Sequence, residues 1–397
     1  MKSWLTVGGA ILGLLGSIWA PNVFSLESGQ VGQETVAATE DSDAQLRPFL
    51  QTPQLLIQSV FRDERFPNVV VTPKGTIVVT WGNSVIRSRR STDAGLTWEP
   101  AVVIDSKGFQ GGGTTVDTTT GNLLAFVEAG HPPAEVRVYR SEDDGKSWNA
   151  ETVSIQPDAH GNSPSMHMNE HGITLQHGEH AGRLIRPTRY YGEGNRPPSL
   201  WPTHYTNAIY SDDGGKKWST SEPFPENGTG EACIVELSDG RLLYNSRRHW
   251  APEGKSPLRR WTSFSDDGGA TWSKASLCEI LPDGPQNTNY GCMGGLVRLP
   301  VDGRDILIYS NCDHPNARKN GTVWCSFDGG TTWPIKRVID AGDFAYSSLN
   351  VGTNGTVSEG WIFLNYESHG AKVARFNLAW ILEGQKTGDG QVPDWIK

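Results

Sequence analysis

One short phrase, Ser-x-Asp-x-Gly-x-(Thr/Ser/Lys)-Trp, recurs along the chain of 397 residues and constrains its fold more than any other feature. The five copies are Ser91–Trp98, Ser141–Trp148, Ser211–Trp218, Ser265–Trp272 and Ser326–Trp333. Their aspartates, Asp93, Asp143, Asp213, Asp267 and Asp328, are successively 50, 70, 54 and 61 residues apart. Repeats of this length are typical of chains that build a fold from similar supersecondary units.

Each copy is expected to be a turn between two β-strands. Glycine supplies the positive φ that such a turn requires, and the aspartate bonds back to the turn backbone. Strand-rich runs such as 241–250 and 305–312 precede the phrase, and the tryptophan would pack between neighbouring sheets. One active site could not collect an aspartate from every unit, so these aspartates are predicted to be architectural.

The repeat predicts an all-β fold, namely a six-bladed β-propeller of four-stranded antiparallel sheets. Units of roughly 50–60 residues would each supply one sheet, and sheets arranged radially form a propeller. Five copies are compatible with six blades, because a closing blade can lack the phrase. The segment Leu55–Val60 and the strands of the tail, within residues 360–382, are predicted to share that closing blade.

The composition divides the chain into a leader and one domain. Residues 1–25 contain one lysine and then an apolar run, so they are predicted to be a signal peptide of an exported protein. An uncleaved membrane anchor is the alternative. Residues 26–50 are polar and are predicted to be a disordered leader, and residues 51–397 are predicted to be the propeller domain.

The charge and the cysteines limit the partners. A net charge of −9 argues against nucleic acid, and we expect a monomer without a cofactor. The five cysteines are predicted to be small buried side chains, although the pairs Cys278–Cys292 and Cys312–Cys325 are conceivable in an exported protein. The other cysteine is Cys233.

The repeated turn resembles the Asp-box of the sialidase (neuraminidase) family, and further motifs extend the resemblance from about Ser59 to Leu382. Arg65-Phe66-Pro67 is similar to the Arg-Ile-Pro motif that opens the family's first blade. The stretch 230–250 resembles the strand pair that carries a Glu and then an Arg. Three further positions resemble family motifs, namely an Arg before the last Asp-box, a Tyr after it and a Glu near the end of the last blade. The matching residues are Arg65, Glu231, Arg247, Arg318, Tyr346 and Glu367.

The resemblance implies an exo-α-sialidase that acts on sialylated or other acidic glycans. Arg65, Arg247 and Arg318 would bind the sugar carboxylate through planar, charge-assisted hydrogen bonds, and Glu367 would be the counter-ion of Arg65. Tyr346 would be the nucleophile and Glu231 its general base, since a phenol avoids the repulsion that a carboxylate nucleophile would meet. A covalent intermediate and net retention would follow.

The chain departs from the family pattern at the general acid, an Asp between the Arg-Ile-Pro motif and the first Asp-box. The interval 76–95 contains no carboxylate before Asp93, which belongs to the turn. The candidates for its replacement are Asp63, Glu64, Glu128 and the histidine-rich stretch Ser163–His180, which contains Glu170.

The histidine-rich stretch and the missing acid leave alternatives open. We expect hydrogen-bonded loop histidines rather than a metal site; the metal alternative would use His167, His171, His177 and His180 with Glu170. A substrate with a good leaving group, or an intramolecular transfer, would not need the missing acid. A propeller that binds an acidic sugar without cleaving it is also compatible with its absence. A polysaccharide lyase is a third possibility, because a Tyr and a His near an Arg-bound carboxylate also suit proton abstraction.

Overall fold

The computed structural model describes residues 41–194, 196–255, 258–284 and 291–396. The first strand is β1 (Leu55–Phe61). The strands form six sheets, which are called blades 1 to 6 in the order in which their innermost strands occur along the chain. Blade 1 contains β2 (Asn68–Val71), β3 (Ile77–Trp81), β4 (Ile86–Ser91) and β5 (Val102–Asp105). Blade 2 contains β6 (Phe109–Val116), β7 (Leu123–Glu128), β8 (Val136–Ser141) and β9 (Asn149–Glu151). Blade 3 contains β10 (Ser154–Ile155), β11 (Ile173–Thr174), β12 (Leu184–Tyr190), β13 (Tyr205–Ser211) and β14 (Lys217–Thr220).

The second half of the chain continues the pattern. Blade 4 contains β15 (Thr229–Glu236), β16 (Leu242–Arg248), β17 (Arg259–Ser265) and β18 (Ser276–Pro282). Blade 5 contains β19 (Gly295–Arg298), β20 (Leu307–Cys312), β21 (Lys319–Ser326), β22 (Ile335–Asp343) and β26 (Gln385–Lys386). Blade 6 contains β23 (Ser347–Val351), β24 (Ile362–Glu367), β25 (Ala371–Phe376) and β1. The helical elements are residues 41–46, the α-helix Leu378–Leu382 and the 3-10 helices Arg47–Leu50, Gly178–His180, Pro198–Thr203 and Asp394–Ile396.

Both ends of the propeller meet in blade 6. β1 pairs antiparallel with β25, with Leu55 opposite Phe376, and β25 continues to β24 and β23. This arrangement confirms the six-bladed fold and the predicted sharing of the closing blade. Blades 3 and 5 have five strands rather than four, because β10 adds parallel to β14 and β26 adds antiparallel to β22.

The hydrophobic cores lie between neighbouring blades. Val70 and Val78 of blade 1 pack with Val116 and Leu123 of blade 2, for example. A strand inside the ring is therefore covered on both faces, which explains why Asn68–Val71 and Ile77–Trp81 are buried at every position and do not alternate with polar residues.

The prediction that residues 26–50 form a disordered leader is wrong for residues 41–50. This segment is helical, and its Leu46 and Phe49 are buried in the core that blades 5 and 6 share. Ser42 Oγ and Gln45 Nε2 donate to Asp302 at 2.6 and 2.8 Å, which anchors the segment on the β19–β20 turn. Two apolar anchors suffice for docking although the segment as a whole is polar.

Residues 1–40, with the predicted signal peptide and the rest of the leader, lie outside the described residues. Among the described residues no helix is long and apolar enough to cross a membrane.

The repeated turns join the third and fourth strands of their blades. In the second copy, Asp143 accepts hydrogen bonds from Ser141 Oγ (2.9 Å), Ser147 N (2.9 Å) and Ser147 Oγ (2.5 Å). Partial burial raises the pKa of Asp143, but these hydrogen bonds outweigh it and lower that pKa to about 2. Trp148 Nε1 donates to Ser88 Oγ of the preceding blade at 3.0 Å. The turn therefore ties one blade to its neighbour.

We expect the substitution Asp143→Ala to lower the free energy of unfolding at neutral pH by about 1 kcal/mol, because several hydrogen bonds in one exposed turn are lost together. The folded-state pKa is depressed, so this contribution is present above the ordinary aspartate pKa and disappears as the pH falls towards 2. Urea unfolding at pH 7 and pH 3 measures both effects. Glu142→Ala, at an exposed position of the same turn, is the matched control and should change little.

Candidate functional site

Four of the six predicted site residues are brought to one end of the propeller by strand polarity. Glu231 lies near the start of β15 and Arg247 near the end of β16, whereas Arg318 and Tyr346 directly precede β21 and β23. In an antiparallel sheet, the start of the first strand, the end of the second and the start of the third share one edge. Blades 4, 5 and 6 therefore deliver these side chains to the same mouth.

Tyr346 lies at the centre of this group. Its Oη donates to Glu231 Oε1 at 3.4 Å and accepts from Arg318 Nη2 at 3.4 Å. Tyr346 and Glu231 are only 4% and 1% exposed. Burial, reinforced by the charge of Glu231, raises the pKa of Tyr346 to about 12, against the lowering effect of Arg318 and Arg247. The phenol is thus protonated at neutral pH and has a carboxylate positioned to receive its proton.

Three guanidinium groups surround this phenol. Arg65 and Arg318 place their Cζ atoms 5.2 and 4.7 Å from the centroid of the Tyr346 ring. Arg65 Nη2 donates to Glu367 Oε2 at 3.0 Å, and Arg247 Nη1 donates to Glu231 Oε2 at 2.6 Å. The structure therefore brings all six predicted residues together.

Arg318 differs from the other two arginines in its partners. Its Nη2 donates to the Gly291 carbonyl at 3.1 Å and to Tyr346. In the part of the chain that the structure describes, no carboxylate lies within 4.0 Å of Arg318. A guanidinium that is mostly buried without a carboxylate is poised to bind an anionic ligand.

The neighbouring arginines Arg247 and Arg248 lie on opposite faces of β16, as strand alternation predicts. Arg247 faces Glu231 in the site. Arg248 instead forms an ion pair with Glu226 at 2.8 Å and lies over the ring of Trp261 at 4.8 Å.

Arg65 and Arg318 open into a cavity of about 420 Å³. Glu64, Asp343 and His369 also line it, and the His369 imidazole is 3.0 Å from Asp343. A larger cavity of about 550 Å³ lies beside Arg248 and Trp261, on the other face of β16. The smaller cavity is the one that Arg65 and Arg318 line, together with Ala345, which precedes Tyr346 in the chain.

Two of the four candidates for the general acid are held near the short loop between β3 and β4. The Asp63 carboxylate accepts from Arg87 Nη2 at 2.9 Å. Glu64 accepts from the N–H groups of Asn83 and Ser84 at 2.6 and 2.9 Å and from the Ser84 hydroxyl at 2.9 Å. Burial raises the pKa of Glu64, but these hydrogen bonds outweigh it, so that the pKa is lowered. Glu64 therefore caps the loop as an ionised acceptor.

The other two candidates are buried in the centre of the ring. Glu128 accepts from Ser165 Oγ at 2.6 Å and Met166 N at 2.8 Å, and burial raises its pKa to about 7. Glu170 accepts from Ser348 Oγ at 2.6 Å and from Leu349 N at 3.1 Å, and burial raises its pKa as well. Glu128 thus holds loop backbone of blade 3, and Glu170 holds β23 of blade 6.

The histidines of the stretch Ser163–His180 contact different partners. His171 Nδ1 is 2.7 Å from Glu170, and His177 Nδ1 is 3.3 Å from Glu236. His167 packs against the ring of Phe109 at 4.4 Å between centroids. Within the described residues, no group of three or more His, Cys, Asp or Glu side chains is arranged to hold a metal ion.

Sequence reasoning missed two members of the site. Asp283 Oδ1 lies 3.7 Å from Arg247 and 3.5 Å from Arg260 beneath the site, where burial raises its pKa to about 7 against the lowering effect of these arginines. Phe66 stacks on Tyr346 with centroids 5.9 Å apart, and its φ of +74° is unusual for a bulky residue. The Phe66 N–H donates to Glu367 Oε1 at 3.0 Å, which fixes this conformation. The only sequence signal for Phe66 was its place inside the Arg-Phe-Pro motif, and Asp283 had none.

Comparisons with known proteins agree on one family. The pattern of the BNR repeat-like domain family matches residues 85–358. The chain is 31% identical to a sialidase of Micromonospora viridifaciens over 81% of its own length and 52% of that protein, and 28% identical to a sialidase of Bacteroides fragilis over 74% and 58%. It therefore spans just over half the length of these relatives. The fold also matches the structure of the Hadza microbial sialidase Hz136, with a TM-score of 0.62, 24% identity and coverage of 80% of this chain and 66% of that one.

We expect Glu367→Ala to lower the free energy of unfolding by about 1–3 kcal/mol, because it leaves the buried Phe66 N–H without its acceptor and Arg65 without its carboxylate. Urea denaturation measures the loss. Asp63→Ala removes a carboxylate whose side chain is 62% exposed and is paired with Arg87; this control should cost less than about 0.5 kcal/mol. Equal effects of the two substitutions would contradict the geometry.

Proposed function

The chain belongs to the sialidase family of BNR-repeat propellers, and we propose from that premise that it is a retaining exo-α-sialidase. It would release terminal sialic acid, or a related nonulosonic acid, from glycoconjugates. The observation that carries the proposal is the buried Tyr346 phenol, held between Glu231 and Arg318 inside a ring of three guanidinium groups. A protein that only binds acidic sugars has no need of a phenol paired with a base.

The sugar carboxylate would bind at the guanidinium groups beside the 420 Å³ cavity. Arg318 forms no ion pair with a described carboxylate, whereas Glu367 keeps Arg65 in place and Glu231 with Asp283 keeps Arg247 in place. Guanidinium groups suit this task because their planar fork matches a carboxylate with paired hydrogen bonds. A carboxylate on the anomeric carbon would thereby lie over the face of Tyr346.

The nucleophile would be the Tyr346 oxygen. A neutral phenol approaches a carbon that bears a carboxylate without like-charge repulsion. Glu231 would take the phenolic proton as the C–O bond to the aglycone breaks, and the positive charges of Arg318 and Arg247 favour the phenolate that attacks. Water would then attack the anomeric carbon from the face that the aglycone left and displace the Tyr346 oxygen, which would recover its proton from Glu231. Two inversions in succession retain the configuration.

The leaving group would depart with little proton assistance. The four candidate acids are each held by backbone or side-chain partners, and Glu64 is an ionised cap. The natural substrate would then carry an aglycone that leaves readily, or the bond would be cleaved by attack from within the sugar itself.

Tyr346→Phe is expected to lower kcat/KM for an aryl α-sialoside by more than about 1,000-fold, because it removes the attacking oxygen and retains the ring packing. Release of the phenol from a substrate with a good leaving group measures turnover without acid assistance. Tyr210→Phe, on β13 and stacked with Arg183, is the matched control and should retain activity.

The same assay separates the alternative functions. A wild-type protein that binds sialosides without releasing the phenol would be a sugar-binding propeller. An unsaturated product, detected by its ultraviolet absorbance, would identify a lyase.

A series of aryl α-sialosides with phenols of increasing pKa tests the leaving-group proposal. We expect log kcat/KM to fall steeply across the series, because the developing phenolate is not protonated in the transition state. Asp63→Asn and Glu128→Gln should leave that slope unchanged. A shallow slope in the wild type, made steep by one of these substitutions, would instead identify that carboxyl group as the general acid.

Export of the chain is part of the same proposal. Residues 1–25 would direct the protein out of the cytoplasm, where sialylated glycans are exposed on surfaces and secreted proteins. N-terminal sequencing of the mature protein decides between a cleaved signal peptide and an uncleaved anchor.

A further inference from the structure

Two cysteines lie side by side beneath the candidate site. The Sγ atoms of Cys292 and Cys312 are 3.5 Å apart. Cys292 precedes β19 and is 0% exposed, and Cys312 ends the neighbouring strand β20 and is 7% exposed. The pairs that the sequence suggested, Cys278–Cys292 and Cys312–Cys325, are not the ones in contact; all five cysteines are thiols in the structure.

The two thiols hold backbone that positions the site. Gly291, next to Cys292, accepts the hydrogen bond of Arg318 at 3.1 Å. The Cys312 thiol donates to the Phe344 carbonyl at 3.0 Å, two residues before Tyr346. A disulfide would tie the segment that carries the acceptor of Arg318 to the end of β20, whereas the Cys312 sulfur would lose its proton and no longer donate to Phe344.

We propose that Cys292 and Cys312 form a disulfide bond when the chain folds in the presence of a thiol-oxidising disulfide. The oxidant belongs to a defined chemical class, either the active-site disulfide of a thiol–disulfide oxidoreductase or glutathione disulfide. A disulfide has an S–S length of about 2.05 Å, so side-chain rotation in two adjacent strand ends must bring the sulfurs about 1.5 Å closer. This inference does not rest on the proposed function.

The exchange balances in two steps. One cysteine thiolate attacks a sulfur of the oxidant disulfide, forming a mixed disulfide and expelling one thiolate of the oxidant. The second cysteine then attacks the sulfur of the first and expels the other thiolate. The protein loses two electrons and two protons, and the oxidant becomes two thiols.

The surroundings of the two sulfurs differ in the folded protein. Burial opposes ionisation, but the contact with Cys312 and the positive charges of Arg318 and Arg247 lower the pKa of Cys292. The pKa of Cys312 is raised by that contact and by burial. Because Cys292 is inaccessible in the folded protein, the bond must form before blade 5 closes around it. These folded-state shifts therefore do not decide which of the two sulfurs attacks first.

The test is refolding of the full chain from denaturant with and without a mixture of reduced and oxidised glutathione. Trypsin cuts between the two cysteines at Arg298 and Arg304, and a protease that cleaves after Glu279 separates Cys278 from Cys292. Mass spectrometry should find the Cys292 and Cys312 peptides cross-linked after oxidative refolding, with Cys233, Cys278 and Cys325 free. A folded product with five free thiols, or one with another pairing, would overturn the proposal.

Thermal unfolding provides a second readout. A bond that closes a loop of this size should raise the melting temperature of the oxidised form by about 3–6 °C over the reduced form. The increment should vanish in the double variant Cys292→Ala/Cys312→Ala. It should persist in Cys325→Ala, which removes a buried thiol that bonds only locally. An increment that survives in the double variant would contradict the assignment.

Discussion

Ring closure by β1 is the constraint on which the rest of the structure depends. The pairing of β1 with β25 places the N-terminal strand at the outer edge of the last blade. The chain then turns inward, and Arg65 meets Glu367, 302 residues away in sequence. No local preference could bring these two residues together. The Arg65–Glu367 pair exists because the propeller is closed, and the group around Tyr346 is complete only in the closed ring.

Inside the ring, several buried arginines are stabilised by ion pairs with buried carboxylates. Arg247 and Arg260 share Asp283, and Arg247 also bonds Glu231. Breaking such a pair by removing one partner is costly, because the other charge is left buried. Of the three site arginines, Arg318 is the one that forms no ion pair with a described carboxylate. A protein can tolerate this arrangement at a site where a ligand supplies the missing charge.

The sequence allowed much of the fold to be predicted, because the features that determine it are local and repeated. The Asp-box turns predicted a strand on either side in five units, and the segments 55–60 and 360–382 predicted the closing blade. The segment 41–50 could not be predicted, since Leu46 and Phe49 are its two buried apolar side chains and the composition around them is polar. The edge strands β10 and β26 are two residues long and have no periodicity to detect.

The site was predictable where a motif carried it and unpredictable where tertiary packing did. All six predicted side chains converge, since each lies in a motif with a fixed place on a blade. Asp283 and the contact between Cys292 and Cys312 depend on distances between strand ends, which a single sequence does not encode locally. The stacking of Phe66 on Tyr346 depends on a positive φ that only the bond to Glu367 explains.

The loop between β3 and β4 shows how a structural requirement limits the chemistry. A general acid must lie within hydrogen-bond distance of the leaving-group oxygen and must carry a proton at the working pH. Glu64 lines the cavity, yet the bonds from Asn83 and Ser84 that keep the loop short also keep its carboxylate ionised. Glu128, whose pKa near 7 would suit an acid, is fully buried and bonded to Ser165 and Met166. For Glu64 and Glu128, reach and protonation thus fall on different residues, which is why the proposed reaction places little demand on proton transfer from the protein.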